Sequence, residues 1–426
     1  MALKFVKKIT KTQLFKISSL NSLSVLLKIG VGLVTSKLLA VFVGPSGMAL
    51  VGNLRNFMTS LESISTLGFQ NGIVKYVAEN KEDKTQLHKI FSTVFISLFF
   101  VAIILSGILF FFAAYWNNQI FGKTFEYSFV LRVLALAMPW YAISIFFISF
   151  INGLGQFKKV IWITILGNIL SLLVSLVLIL NYRTLGALLA IVITPALLFF
   201  MTFYFVNKEI PFFSTIRLRS FDSKIIKNLS SYSLMALVSS VLGPLVLLSI
   251  RNNIIATVGI NEAGYWETIT RISAYYMMFV TTILPVYFFP KLSNAKSYLE
   301  TKTIFWSYYK SILPLFVVGV IVIYFLRFFI IEMVFTREFL PVASLFFWQI
   351  IGDVLKVAFL ILGFQFFAKK LTLAFIITEL LSLLLLYLAS KYLVLIFGIQ
   401  GIVMAQAFDN FIYLLVLAVY FRKSLF

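Results

Sequence analysis

The chain has 426 residues, 61% of them hydrophobic and 12% charged, with a formal net charge of +21. Soluble domains are usually about 45–50% apolar and about a quarter charged, so a mean hydropathy of +1.01 excludes a soluble protein. The absence of cysteine excludes a disulfide framework and a thiolate metal site.

The apolar residues fall into runs of about twenty, long enough to cross a hydrocarbon core of about 30 Å. In chain order they predict helices over 14–42, 46–77, 87–115, 127–152, 158–181 and 184–206, then 223–255, 262–290, 303–327, 340–367, 371–391 and 400–421. The fold class is therefore an all-α polytopic membrane protein of about twelve transmembrane helices. Pro139, Pro195, Pro244, Pro285 and Pro314 fall inside these segments. Neighbouring helices tolerate such breaks by satisfying the freed carbonyls. The only histidine, His88, sits in the charged connection Asn80–Lys89, where it makes a poor metal ligand. No metal site is predicted. No phosphate-binding loop of the Walker type is present, which argues against ATP-driven transport by this chain. So few reactive groups argue against an enzyme.

Lysine and arginine alternate sharply between connections. Lys4, Lys7, Lys8, Lys11 and Lys16 open the chain; Lys81, Lys84, Lys89, Lys158 and Lys159 follow. Lys208, Arg217, Arg219, Lys224, Lys227, Lys291, Lys296, Lys302, Lys369, Lys370, Arg422 and Lys423 continue on the same side, making 22. The opposite side holds Lys123, Arg183, Arg327, Arg337 and Lys391, which makes 5. Basic residues collect in cytoplasmic loops, so both termini are expected inside and the number of spans even. That location accounts for much of the positive charge without a nucleic-acid partner.

The polar connection 207–224 divides the chain near its midpoint. It predicts an N-terminal six-helix bundle over 1–215 and a C-terminal one over 216–426. A short internal echo supports a repeat: Lys37…Gly44-Pro-Ser-Gly47…Arg55 in the first half, Arg251…Gly259…Gly264…Arg271 in the second. Parallel repeats of this kind occur in transporters.

Nine cations remain within the spans: Lys28, Lys37, Arg55, Lys75, Arg132, Arg251, Arg271, Lys310 and Lys356. Lys75 and Lys310 lie near cytoplasmic ends, and with Lys37 and Arg132 they can snorkel. Lys28, Arg55, Arg251, Arg271 and Lys356 are harder to dismiss, because a cation at the bilayer centre costs about 2.5–3.5 kcal/mol. The embedded acids are fewer: Glu62, Glu267, Asp353, Glu379 and Asp409. Glu267 and Arg271 stand four apart and Asp353 and Lys356 three apart, so each pair shares a helix face. The surplus of fixed positive charge points to a cationic cavity that holds an anion, and arginine's planar fork suits phosphate. An anion on an apolar tail is a phospholipid or a prenyl pyrophosphate. An exporter of lipophilic cations would want the opposite sign. Among the aromatics, Trp140, Tyr275, Tyr276 and Trp348 are candidates to line the cavity. Gly30, Gly32, Gly68, Gly72, Gly153 and Gly155 are candidates for close helix approach.

The segment Leu27-Lys28-Ile-Gly-Val-Gly-Leu-Val-Thr-Ser-Lys37 through Gly44-Pro45-Ser-Gly47 resembles the Wzx-type flippases. So do Asn71-Gly-Ile-Val-Lys75-Tyr-Val-Ala and Phe347-Trp-Gln-Ile-Ile-Gly-Asp353-Val-Leu-Lys356-Val. That family exports undecaprenyl-pyrophosphate-linked O-antigen or enterobacterial common-antigen units. Its superfamily also holds the multidrug-and-toxin extruders. The resemblance implies a MATE-like, V-shaped transporter of two six-helix bundles working by alternating access in the bacterial inner membrane. It assigns the chain to O-antigen and lipopolysaccharide biosynthesis and polysaccharide export. Basic cavity residues pass to Lys28, Arg55, Arg251, Arg271 and Lys356, which would bind the pyrophosphate and glycan. Glu62, Asp353, Glu267 and Asp409 become candidates for ion coupling or charge pairing. The expected partners are the lipid-linked oligosaccharide, membrane lipids, a polysaccharide polymerase and a chain-length regulator. No cofactor is expected beyond a proton or sodium gradient or the membrane potential. The competing readings are a MATE-like antiporter for small drugs and a non-transporting scaffold.

Overall fold

The structure is a computed structural model that describes residues 13–425, excepting the side chains of 13–19, 213–214 and 231–232. Lys4, Lys7, Lys8 and Lys11 lie outside the described residues, as does the side chain of Lys16. Among the described residues all regular structure is helical. Among these residues, ten helices are long and apolar enough to cross a membrane. One of them, Phe157–Asn207, joins two spans at Arg183, where the backbone leaves helical geometry (φ 48°, ψ −120°). Gly44–Ser65 runs 22 residues and also has spanning length, although Arg55 and Glu62 lower its hydropathy. Counting both gives the twelve expected spans.

The chain forms two compact units. The division expected at 215/216 falls inside the first of them. That unit comprises residues 1–42 and 57–241. It contains α1 (Gln13–Phe42), the second part of α2 (Gly44–Ser65), α3 (Gln70–Glu79), α4 (Lys84–Phe111) and α5 (Ala113–Ile120). It continues with α6 (Ser128–Gly153), the angled α7 (Phe157–Asn207) and α8 (Ser223–Leu237). α1 packs on α7, and α6 packs on α3, α4 and α7. Phe91, Phe146, Phe147 and Phe150 lie fully buried in its centre, with the Phe91 and Phe150 rings edge to face at 5.0 Å. Lipid gives little hydrophobic drive between helices, so such contact and close backbone approach must supply the cohesion. At Gly153 an added Cβ would lie 2.7 Å from Val77 Cβ, and at Gly72 3.0 Å from Leu229 Cδ2. Gly68 adds a turn at φ 63° against Ser233. Gly30 and Gly155 meet nothing within 4 Å, so they are not packing glycines. The run expected as one helix over 46–77 breaks between α2 and α3, where Leu67 and Gly68 both take positive φ.

The second unit comprises residues 43–56 and 242–426. It holds the first part of α2, then α9 (Gly243–Thr257), α10 (Ile260–Ile283), α11 (Tyr298–Val334), α12 (Phe346–Ala368), α13 (Thr372–Phe397) and α14 (Gln400–Tyr420). α14 packs on α12 and α13, and α9 on both α10 and α13. α10 continues through a π-helical turn at Leu284–Phe288 that contains Pro285. Prolines inside a helix free carbonyls, and a wide turn is one way to absorb them.

The internal echo has a backbone counterpart. Gly44 (φ 71°) precedes Arg55, and Gly259 (φ 129°) opens α10 before Arg271. A second correspondence is closer. Arg183 (φ 48°, ψ −120°) stands three residues before Gly186, whose added Cβ would lie 1.8 Å from Leu178 O. Gly398 (φ 57°, ψ −139°) stands three residues before Gly401, whose added Cβ would lie 2.2 Å from Leu393 O. The same turn therefore recurs, with glycine at its left-handed position in one copy and arginine in the other. A non-glycine residue held there costs about 1–3 kcal/mol, against a glycine entropy cost of about 0.4–1 kcal/mol. Arg183→Gly is predicted to stabilise the purified protein by about 1 kcal/mol, and Gly186→Ala to destabilise it. Thermal melts in detergent check both, and an unchanged Arg183→Gly midpoint would remove the strain argument.

Candidate functional site

The second unit places three of the predicted cations around one carboxylate. The first part of α2 supplies Arg55 and Asn53, α9 supplies Arg251 and Asn252, and α10 supplies Glu267 and Arg271. Glu267 Oε1 accepts from Arg55 at 2.7 Å and from Arg271 Nε at 2.9 Å. Its Oε2 accepts from Arg251 at 2.9 Å. Asn53 Oδ1 accepts from Arg251 at 3.4 Å, and Asn53 Nδ2 donates to Asn252 at 2.9 Å. The Arg251 guanidinium also lies 4.8 Å from the centre of the Trp266 ring, a cation–π geometry that favours the charge in place.

Glycine makes this proximity possible. A Cβ at Gly52 would lie 2.4 Å from Glu267 Oε2 and 2.8 Å from the Arg251 guanidinium carbon. A Cβ at Gly264 would lie 1.9 Å from Pro45 O, so α10 rests directly on the α2 backbone. Arg251 and Glu267 are 2% and 3% exposed and Arg271 is 8%, whereas the Arg55 side chain is 42% exposed. Arg55 is therefore the most exposed of the three arginines. Three guanidinium groups against one carboxylate leave a formal surplus of two positive charges. Arg251 Nε and an Arg271 terminal nitrogen are buried without a hydrogen-bond partner. Buried donors are normally satisfied, so the cluster has capacity for a further anionic acceptor.

The other sequence candidates fall elsewhere. Lys28 is exposed on α1, in the first unit. Glu62 is also in the first unit, where Tyr141 OH and Gln70 Nε2 donate to its carboxylate beside a cavity of about 180 Å³. Lys356, Asp353 and Asp409 line a separate cavity of about 610 Å³ in the second unit, together with Glu379 and Trp348. The expected contact of Asp353 with Lys356 is not made. Asp353 Oδ2 instead accepts from Ser273 at 2.7 Å and from Tyr276, and Gln349 Nε2 donates to Oδ1 at 3.1 Å. Hydroxyls from α10 reach the carboxylate before the lysine on its own helix does. Asp409 accepts from Ser382 at 3.0 Å. Trp140 packs on Phe199 at 4.9 Å. Sequence reasoning missed Gly52 and the Asn53–Asn252 pair, and named Gly264 only as part of the internal echo; their importance lies in contacts between helices distant in sequence.

The fold and the site together define a multi-pass membrane protein, and solved transporters share its fold. A MATE-family multidrug transporter of that superfamily, solved facing inward, superposes with a TM-score of 0.75 at 14% identity, over 92% of this chain and 94% of that one. A MOP superfamily transporter from Pyrococcus furiosus superposes at 0.70 with 13% identity, over 96% and 95%. At these identities the likeness establishes the fold. The chain belongs to the polysaccharide biosynthesis protein family, whose pattern matches residues 14–296. Two curated relatives carry the name Lipid III flippase, from Escherichia coli K12 and Shigella flexneri. Each is 29% identical over 408 residues, covering 94% of this chain and 96% of the relative. These relatives and neighbours are named as flippases and transporters.

Breaking a buried ion pair costs about 3–5 kcal/mol. Gly52→Ala is therefore predicted to lower the melting midpoint markedly by wedging Glu267 away from Arg251. Gly319→Ala, where an added Cβ meets nothing within 4 Å, is predicted to leave it unchanged. Equal melts for the two variants would contradict the packing account.

Proposed function

We propose that this protein is a flippase that moves an undecaprenyl-pyrophosphate-linked oligosaccharide from the cytoplasmic to the periplasmic leaflet of the bacterial inner membrane by alternating access. The observation that carries this reading is the arginine cluster on Glu267, with its surplus charge and unmatched buried donors. A pyrophosphate offers several anionic oxygens, and arginine forks bind such groups bidentately. Glu267 holds the three guanidinium groups together until the pyrophosphate takes up part of their capacity. The prenyl chain stays in lipid. The cargo is an O-antigen or common-antigen repeat unit, and the relatives named Lipid III flippase support a lipid-linked cargo. Both termini lie in the cytoplasm, as the lysine asymmetry indicates. A polymerase and a chain-length regulator receive the product.

Transport draws on an ion gradient through the acidic cavity of the second unit. Asp353, Glu379 and Asp409 face it together with Lys356, a concentration of ionisable groups that marks ion pathways in membrane proteins. The alternative of a MATE-like drug antiporter shares the fold, but a surplus of arginine opposes a lipophilic cation.

Mass spectrometry of polyprenyl-pyrophosphate lipids from cells with and without the gene tests the substrate. A lipid-linked oligosaccharide accumulating on the cytoplasmic leaflet of the mutant is the expected result. Unchanged lipids, in a strain with no other flippase able to substitute, would redirect the search to drug efflux. Arg55→Ala with Arg251→Ala is predicted to cut transport at least about tenfold, the equivalent of about 1.4 kcal/mol, without preventing membrane insertion. Full activity of the double variant at normal expression would end the arginine account. Asp409→Asn is predicted to slow transport and to make the residual rate insensitive to an uncoupler; an uncoupler response like that of the unaltered protein would remove Asp409 from coupling.

A further inference from the structure

At the end of the second unit that carries its lysines, three separate stretches converge on a cavity of about 670 Å³. The connection into α11 gives Lys296, the connection between α12 and α13 gives Lys369, and the segment after α14 gives Lys423. No acidic residue is among the residues lining it. Two helices start at its wall. α13 begins after Leu371, which makes no side-chain cap, whereas Ser297 caps α11 by accepting from Glu300 N, and the Glu300 carboxylate accepts from Lys296 N. Helix N-termini present backbone N–H groups and a partial positive charge.

Gln365 from α12 also lines the cavity. It is 5% exposed, and its Oε1 is buried with no hydrogen-bond partner. A buried acceptor left unmatched asks for a donor from whatever fills the cavity. The cavity therefore combines cations suited to a phosphate with an acceptor suited to a hydroxyl. The walls are built rather than loose. Lys369 Nζ donates to Ala295 O, joining two of the three stretches. Trp306 Nε1 donates to Leu425 O at 3.0 Å, and Phe366 packs on Phe421 at 5.0 Å, securing the third.

The geometry points to a second anion site at this cavity, taking a phosphodiester that bears free hydroxyls, supplied by the headgroup of an anionic glycerophospholipid such as phosphatidylglycerol. The phosphate sits among Lys296, Lys369 and Lys423, and a glycerol hydroxyl donates to Gln365 Oε1. Tyr298 and Tyr420, both exposed and both lining the cavity, flank the glycerol backbone at the lipid boundary. Basic pockets on the cytoplasmic side of membrane proteins commonly hold lipid headgroups. This site shares no residue with the arginine cluster and stands independently of what that cluster carries.

The test is native mass spectrometry of the full-length protein in detergent with dioctanoyl phosphatidylglycerol, dioctanoyl phosphatidylcholine, sn-glycerol 3-phosphate or inorganic phosphate. The unaltered protein should retain phosphatidylglycerol at least about tenfold better than phosphatidylcholine. The variant Lys296→Gln/Lys369→Gln/Lys423→Gln should lose that preference. The variant Lys208→Gln/Lys224→Gln/Lys227→Gln, with the same loss of charge in the first unit, should keep it. Gln365→Met, which leaves every lysine in place, should weaken phosphatidylglycerol several-fold without affecting phosphatidylcholine. Equal losses in the two triple variants would overturn the site in favour of diffuse surface attraction. Displacement of the lipid by equimolar glycerol phosphate or inorganic phosphate would overturn the lipid and leave a free-phosphate site. An unchanged Gln365→Met variant would overturn the hydroxyl contact on which the choice of headgroup depends.

Discussion

One buried carboxylate organises the second unit. Glu267 takes hydrogen bonds from Arg55, Arg251 and Arg271 and so ties α2, α9 and α10 at a single point. Removing one partner of a buried pair strands a charge in a medium that solvates it badly. Loss of any one member therefore weakens the arrangement. It also carries more positive charge than one carboxylate neutralises. The feature that holds the helices together is the same one that leaves room for an anion.

The close-approach glycines follow from this requirement. Arginine and glutamate side chains can meet across three helices only where backbones come near, and Gly52 and Gly264 occupy the two points where a Cβ would collide. The acidic cavity obeys a different logic. There Asp353 is satisfied by hydroxyls and an amide from Ser273, Tyr276 and Gln349 rather than by a cation. Lys356 faces the same cavity without a salt bridge to it. One site is thus cation-rich with a single shared acid, and the other is acid-rich with a single lysine. The proposed carrier of an anionic lipid, drawing on a cation gradient, would use both kinds of site.

The helices were legible because lipid demands long apolar runs, and those runs need no tertiary information to be seen. The interruption between α2 and α3 was not legible, because Leu67 is an ordinary helix residue held at positive φ by its surroundings. Arg183 hid a turn in the same way, although Gly398 marks its counterpart openly. The pairing of Glu267 with Arg271 could be read from their spacing of four. The recruitment of Arg55 could not, since 212 residues separate it from Glu267. Lys28 looked equivalent to Arg55 in the sequence, yet it stands exposed on α1 in the other unit. Residue type showed that cations were retained in the membrane; only packing showed which of them share a carboxylate.

The most direct test of the central claim is equilibrium binding of undecaprenyl pyrophosphate, without any glycan, to the purified protein and to its Arg251→Gln variant, with undecaprenyl monophosphate as the comparison. The cluster predicts that the unaltered protein prefers the pyrophosphate by at least about tenfold and that the variant loses this preference while remaining folded. Equal binding of the two lipids by the unaltered protein, or an undiminished preference in the variant, would contradict it.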